Sequence, residues 1–207
     1  MVRPFTVVWL AIFLAEGCTR SSPPEPPPPA LPYRSGPLLI GPWGVGPIRR
    51  TTYFETPVIR RLFPAAQVDD TTVRVSFDET EAAIAVRQDG VQMLEIEDGT
   101  ANAPGTDDPM IGAVRALGGP MVGPGGERIG MSWKAAHFDL SECEMGADRD
   151  SGLVVCARPR AGALTFYFVA PGWTSGELPP PGRLDRTGYL KAMVWTPPPV
   201  SEAGASS

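Results

Sequence analysis

The sequence predicts an α+β fold built mostly from antiparallel strand meanders, with two short helices and two halves of similar plan. Three observations lead there. Short β-prone runs alternate between apolar and polar residues, as in Val73-Arg74-Val75-Ser76-Phe77, the period-2 pattern of a half-buried strand. Asp89-Gly90 separates two such runs and is a two-residue hairpin signal. Only two stretches carry helical punctuation, one opening at Thr56-Pro57 and one at Ser132-Trp133.

Taken in order, residues 1–17 have the three parts of a secretory signal. Arg3 and the free amine supply positive charge, Phe5 to Leu14 (FTVVWLAIFL) is apolar and uncharged, and small residues lead to Cys18. Ten apolar residues are too few to span a bilayer as a helix, which takes about 20. A cysteine directly behind such a run is where a bacterial lipoprotein is acylated and cut, so Cys18 is predicted to carry lipid. The pattern is not regular: Ala15, not Leu14, stands three residues before Cys18, and Glu16 is charged. Ala15-Glu16-Gly17 also fits ordinary small-x-small cleavage. Thr19 rather than Asp follows the cysteine, which favours the outer over the inner membrane.

Residues 18–37 read as the lipidated cysteine and a Pro-rich linker. Thr19 to Pro37 (TRSSPPEPPPPALPYRSGP) is a polyproline II spacer, extending at about 3.1 Å per residue. The globular domain is predicted over 38–196 and a disordered Pro/Ala/Ser tail over 197–207. About 160 residues between the tails make one domain, long enough to bury most of a core.

Within the domain, Leu38 to Ile48 (LLIGPWGVGPI) is a strand broken by turns. Its Gly44-x-Gly46 lacks the strand–helix context of a dinucleotide fingerprint. Arg49-Arg50 reads as a solvated pair. Thr56 is expected to cap the first helix with Pro57 at its first position, and Val58, Ile59, Leu62 and Phe63 form its apolar face. Strands follow at Val73 to Phe77, around Ile84 and Val86, at Val91 to Ile96, and at Met110 to Leu117. The carboxylates Asp78, Glu79, Glu81, Glu95, Glu97 and Asp98 are expected at turn ends. Gly118 to Gly126 is a turned crossing. Ser132 caps a second helix, with His137 near its end. Asp148-Arg149-Asp150-Ser151-Gly152 starts like a calcium loop but lacks the third acid and distal Glu. Strands are read at Leu153 to Ala157, Leu164 to Val169 and Tyr189 to Trp195, with a Pro/Gly loop over 171–182 between the last two.

The chain has 18 Lys+Arg against 23 Asp+Glu, a formal charge of −5. Removing residues 1–17 takes away Arg3 and Glu16 together and leaves this unchanged. The balance argues against non-specific nucleic-acid binding, which wants a basic face. Three cysteines are present, Cys18, Cys143 and Cys156. With Cys18 acylated, Cys143 and Cys156 are left in an oxidising compartment and are predicted to bridge. A two-thiol metal site is the weaker reading, since zinc sites combine closely spaced cysteines with histidines and the chain has one histidine, His137.

No motif names a reaction. There is no G-x-S-x-G elbow, no H-E-x-x-H and no phosphate loop. Ser132, His137 and Asp139 fall within eight residues, whereas triad members normally come from separate segments. The sequence therefore predicts no enzyme, no cofactor and no metal. An Asp/Glu pair for glycan cleavage stays open, because spatial separation is invisible in sequence. Trp43, Trp173 and the loop 172–182 are the candidates for contact with a partner.

Arg128-Ile129-Gly130, Cys143, Leu153-Val154-Val155-Cys156, Leu164-Thr165-Phe166-Tyr167-Phe168, Gly172-Trp173, Leu178-Pro179 and Met193-Val194-Trp195 together resemble the sigma-E-regulated lipoprotein family of enterobacteria and their relatives, itself of unknown function. The likeness is best over Ile129 to Trp195 and weaker over Gly41 to Gly90. The long Pro-rich tether and the irregular lipidation motif depart from it. The resemblance implies an envelope lipoprotein made with the outer-membrane stress response and carries over no catalytic residue. The function expected is a non-catalytic, outer-membrane lipoprotein facing the periplasm, held by its N-terminal lipid and binding an envelope protein. The alternative is a periplasmic inhibitor of a cationic hydrolase such as lysozyme.

Overall fold

The computed structural model describes residues 31–99, 109–158 and 163–198. Cys18, the signal segment and most of the linker and tail lie outside them. The chain opens with β1 (Leu38–Gly41) and β2 (Gly44–Val45), a tight antiparallel pair. The two glycines of the Gly44-x-Gly46 run serve this hairpin. Both have positive φ, and a Cβ on Gly44 would lie 2.0 Å from the Ile48 carbonyl oxygen.

Two helix-plus-meander halves follow. In the first, α1 (Thr56–Leu62) precedes β3 (Gln67–Arg74), β4 (Thr80–Gln88), β5 (Val91–Asp98) and β6 (Ile111–Ala116). A crossing strand, β7 (Met121–Val122), pairs in parallel with β1. In the second half, α2 (Trp133–Ala136) precedes β8 (Cys143–Met145), β9 (Leu153–Ala157), β10 (Leu164–Val169), α3 (Pro181–Thr187) and β11 (Tyr189–Trp195). The two meanders join through their last strands into one eight-stranded sheet, ordered β3-β4-β5-β6-β11-β10-β9-β8. All its pairings are antiparallel.

The halves share more than outline. Just ahead of α1, Tyr53 bridges Met110 and the Phe54 N–H donates to the Pro109 carbonyl at 2.7 Å. Just ahead of α2, Ser132 bridges Tyr189 and the Trp133 N–H donates to the Gly188 carbonyl at 2.8 Å. Each half thus pins the start of its helix to the start of its own last strand by the same pair of contacts. Each half has four strands; the sequence reading gave four in the first half and three in the second, where it missed β8.

One face of the large sheet is the core. Ile84, Val86, Leu94, Ile96, Val114, Met193, Trp195, Phe166 and Phe168 point there and are buried, covered by the helices and the β1–β2–β7 layer. Phe138 sits 4.9 Å from Phe166 and 5.0 Å from Phe168, ring centroid to centroid, close to the tilted geometry aromatic pairs prefer. The Trp195 indole N–H reaches the Pro42 carbonyl at 3.2 Å and ties β11 to the opening hairpin.

Several expectations are corrected. Thr56 is not the cap of α1; Glu55 occupies that position, and the Thr56 hydroxyl donates to Asp70 on β3. The third strand begins at Gln67 and stops at Arg74, leaving Phe77 in a turn, 96% exposed. Its polar run Asp69-Asp70-Thr71-Thr72 hid it, and such residues are tolerated because β3 is a sheet edge. Helix α3 begins in the last two residues of the stretch read as loop and runs on to Thr187. Prolines suit the first turn of a helix, where no N–H is needed, and Leu184 anchors α3 with no exposed surface. The contact with the body also starts earlier than residue 38: the Tyr33 N–H donates to the Leu62 carbonyl at 2.8 Å, and its ring lies 5.9 Å from Phe63.

Candidate functional site

The second face of the large sheet carries a charged cluster that the sequence reading missed. Glu95 and Glu97 are not at a turn. They stand mid-strand on β5, and Glu95 pairs across to Arg115 on β6. Both Arg115 Nη atoms donate to Asp150, each at 3.0 Å, and its Nε lies 3.9 Å from Glu95. Arg149 donates to Glu97 at 2.8 Å and also binds Glu95. The Arg115 guanidinium stacks 4.7 Å from the centre of the Tyr167 ring on β10. Arg149 and Asp150 come from the 3₁₀ turn Asp148–Asp150 between β8 and β9, so a turn from the sheet's far edge folds back over its middle. The stretch that began like a calcium loop spends its acid on Arg115.

Burial governs the electrostatics here. Arg115 is only 6% exposed. Burial pushes the Glu97 carboxyl above its ordinary range; Arg149 and Arg115 oppose that, while Glu95 and Asp150 reinforce it. The Tyr167 hydroxyl is raised chiefly by burial, with Asp150 adding to it. Three carboxylates and two guanidinium groups share the site, and every carboxylate has an arginine against it. That arrangement clamps a turn to a sheet.

Beside the clamp lies a groove of about 520 Å³ over β8, β9 and β10, walled by Glu142, Glu144, Thr165 and Tyr167. Behind it, on the core side of the same strands, the disulfide Cys143–Cys156 joins residues directly opposite each other in the β8–β9 register, with Cys156 fully buried. It fastens a three-residue edge strand that two ladder neighbours alone would hold weakly.

A second groove, of about 790 Å³, lies on the β1–β2–β7 layer. Leu39 and Trp43 stand in it 64% and 57% exposed. Trp173, the other aromatic picked out from sequence, is a partly buried plug: its indole N–H donates to the Glu177 carbonyl at 2.8 Å and Arg183 stacks on its ring.

Ser132, His137 and Asp139 do not assemble. The Ser132 hydroxyl caps α2 by accepting from the Ala135 N–H at 3.3 Å. Asp139 accepts from the Ser141 N–H at 2.9 Å and from its hydroxyl at 2.8 Å. His137 is the left-handed residue that ends α2. Its carbonyl, with that of Ala136, receives Arg158. Arg158 is in turn ion-paired with Glu127, which is 1% exposed. The Glu127 carboxylate also accepts from the Gly125 N–H at 2.8 Å. It fills the space beside Gly123 and Gly125, where a Cβ would come within 2.4 and 2.5 Å of it. Part of the glycine-rich crossing is therefore built around one buried acid.

No family model and no curated protein matches the chain. Among solved structures, the chain is similar to the uncharacterized protein yfeY from Escherichia coli, with a TM-score of 0.59 at 13% identity, over 77% of this chain and 99% of that one. At that identity the likeness is one of fold.

Proposed function

We propose that this protein is a lipid-anchored envelope protein of the sigma-E-regulated lipoprotein type, acylated at Cys18, held at the outer membrane facing the periplasm, and acting by binding a protein partner rather than by catalysis. The observation that carries the binding reading is the groove at the disulfide-clamped edge. It opens beside β8, which no strand among the described residues pairs on its outer side, and an unpaired edge is a template for an added strand. The disulfide and the Arg149–Asp150 clamp together fix that edge in advance, which lowers the ordering cost of binding. The residue pattern around Cys18 and the Pro-rich stretch behind it support the anchor.

A second reading is supported by the charge of the same groove. Glu142 and Glu144 line it, and Asp139, Glu144 and Asp148 are exposed around it. That suits insertion against the cationic surface of a hydrolase such as lysozyme.

Two experiments test these. Growth with a labelled fatty acid should label the wild-type protein and not Cys18→Ser; equal labelling of neither would remove the anchor. Crosslinking from a photoreactive residue at Glu144 in living cells, followed by mass spectrometry, should recover one reproducible envelope protein. A lysozyme recovered there, with inhibition at micromolar concentration, would select the second reading. No specific crosslink would overturn binding at this edge.

A further inference from the structure

The groove on the β1–β2–β7 layer has a composition unlike the rest of this acidic chain. Trp43 stands at the tip of the β1–β2 hairpin, between Pro42 and Gly44, and Leu39 projects from β1 beside it. Leu31 extends the apolar surface, 85% exposed. Two arginines, Arg34 and Arg49, line the groove, and among the described residues no aspartate or glutamate does. Arg49 is held in place there: its guanidinium donates to the Ile48 carbonyl at 2.9 Å and to that of Gly46. Arg50 is exposed next to it. An indole and aliphatic side chains ringed by arginines match the boundary between lipid headgroups and acyl chains.

The position of the groove supplies the second argument. Residues 31–37 form one wall of it, so the chain coming from Cys18 joins the body at this face. Thirteen residue steps separate Cys18 from Leu31, a reach of at most about 45 Å for a fully extended chain. Whatever pulls on Cys18 draws this face toward it first. We propose that this face rests on a bilayer surface bearing anionic phosphate headgroups, with Trp43 and Leu39 entering the headgroup layer and Arg34, Arg49 and Arg50 meeting the phosphates. This rests on the lipid-anchor reading for its biological setting, but its chemistry does not need the acyl chains. It also leaves the disulfide-clamped edge, on the other face of the large sheet, turned away from the membrane and open to a partner.

The test uses the mature protein purified from producing cells and mixed with vesicles of phosphatidylcholine alone or with phosphatidylglycerol, with acyl chains brominated near the headgroup. Bromine quenches indoles that enter the lipid. Trp133 and Trp195 are buried in the core and Trp173 is partly buried, so the quenching that disappears in Trp43→Phe is the part that reports on Trp43. Wild type should be quenched and shifted to the blue on phosphatidylglycerol vesicles. Trp43→Phe should lose that quenching, and Arg34→Glu with Arg50→Glu should weaken partition on the order of tenfold or more. The substituted side chains are exposed or partly so, and unchanged far-ultraviolet circular dichroism shows that the variants fold. Vesicle flotation separates the two ideas. Protein that floats with no quenching of Trp43 overturns the surface contact and leaves the anchor standing. Unacylated protein whose Trp43 is still quenched on anionic vesicles overturns the anchor and leaves the contact. Equal quenching on neutral and anionic vesicles overturns the role given to the arginines.

Discussion

Arg115 and Asp150 meet through two parallel hydrogen bonds of 3.0 Å, one residue in the middle of the large sheet and the other in a turn that belongs to its edge. Such two-pronged guanidinium–carboxylate pairs are the strong members of their class. Here the pair decides where the β8–β9 turn lies.

Removing Arg115 therefore does more than delete one contact. Arg115→Met should cost about 3 kcal/mol, because it leaves Glu95, Glu97 and Asp150 facing Arg149 alone in a half-buried site. Asp150→Asn, which keeps the shape, should cost about 1–2 kcal/mol. Urea unfolding measures both. Amide exchange over residues 146–152 should quicken in each variant; unchanged exchange would mean that the turn is held by something else.

Glu97 gives the cluster a pH dependence whose sign is fixed. Its folded-state pKa is raised by burial above the ordinary 4.5, so the folded protein holds this proton more tightly than the unfolded chain does. Its contribution is fully present below 4.5 and is lost as pH rises through the folded value. Wild type should lose stability relative to Glu97→Gln as pH rises from acid toward neutral. Denaturant titrations at several pH values would show it, and a wild type that gains on Glu97→Gln as pH rises would contradict it.

The disulfide should matter to the edge more than to the centre. Closing the loop between Cys143 and Cys156 stabilises by about 3 kcal/mol in the chain-entropy model. The Cys143→Ser, Cys156→Ser double variant should unfold at lower urea by that amount. Partner crosslinking from Glu144 should fall further than stability alone explains.

Glu127 and Arg158 make the other strong prediction. Glu127→Ala should cost about 3–5 kcal/mol, since it strands a guanidinium packed 3.9 Å from the Phe138 ring. In a double-mutant cycle with Arg158→Leu, the second substitution should cost much less in the Glu127→Ala background than in wild type. Additive costs would show that the pair is not coupled.

The strands with apolar alternation were legible in advance: β4, β5, β9, β10 and β11 lie where Ile84, Val91, Leu153, Leu164 and Tyr189 placed them. The positive φ of Asp89 and Gly90 fits the hairpin turn their pairing announced, and Ser132 caps α2 as its position suggested. The misses have local causes. Edge strand β3 has too many polar residues to show a period, and α3 hides behind Pro180-Pro181. The charged cluster was invisible for a different reason. Glu95 and Glu97 looked like solvated acids because their arginines come from a strand 20 residues on and a turn about 50 on. The clue available was spacing: Glu95-Ile96-Glu97 inside a β-prone run puts both acids on one face, and Arg115 between Val114 and Ala116 asks for a partner.

The palindromic order of the sheet also constrains how the chain acquires its shape. Strand β6 closes the first meander, and its free side is completed by β11, the last strand of the second. A chain growing from its N-terminus can finish four strands and one helix and still expose an unmatched apolar border, holding Val114 and Ala116, until Tyr189–Trp195 arrive more than 70 residues later. During that interval the nearest strand able to cover the border belongs to another molecule. Of all the places in this protein, the β6 border is where a chaperone would have the longest work and where slowed synthesis would first show as aggregation.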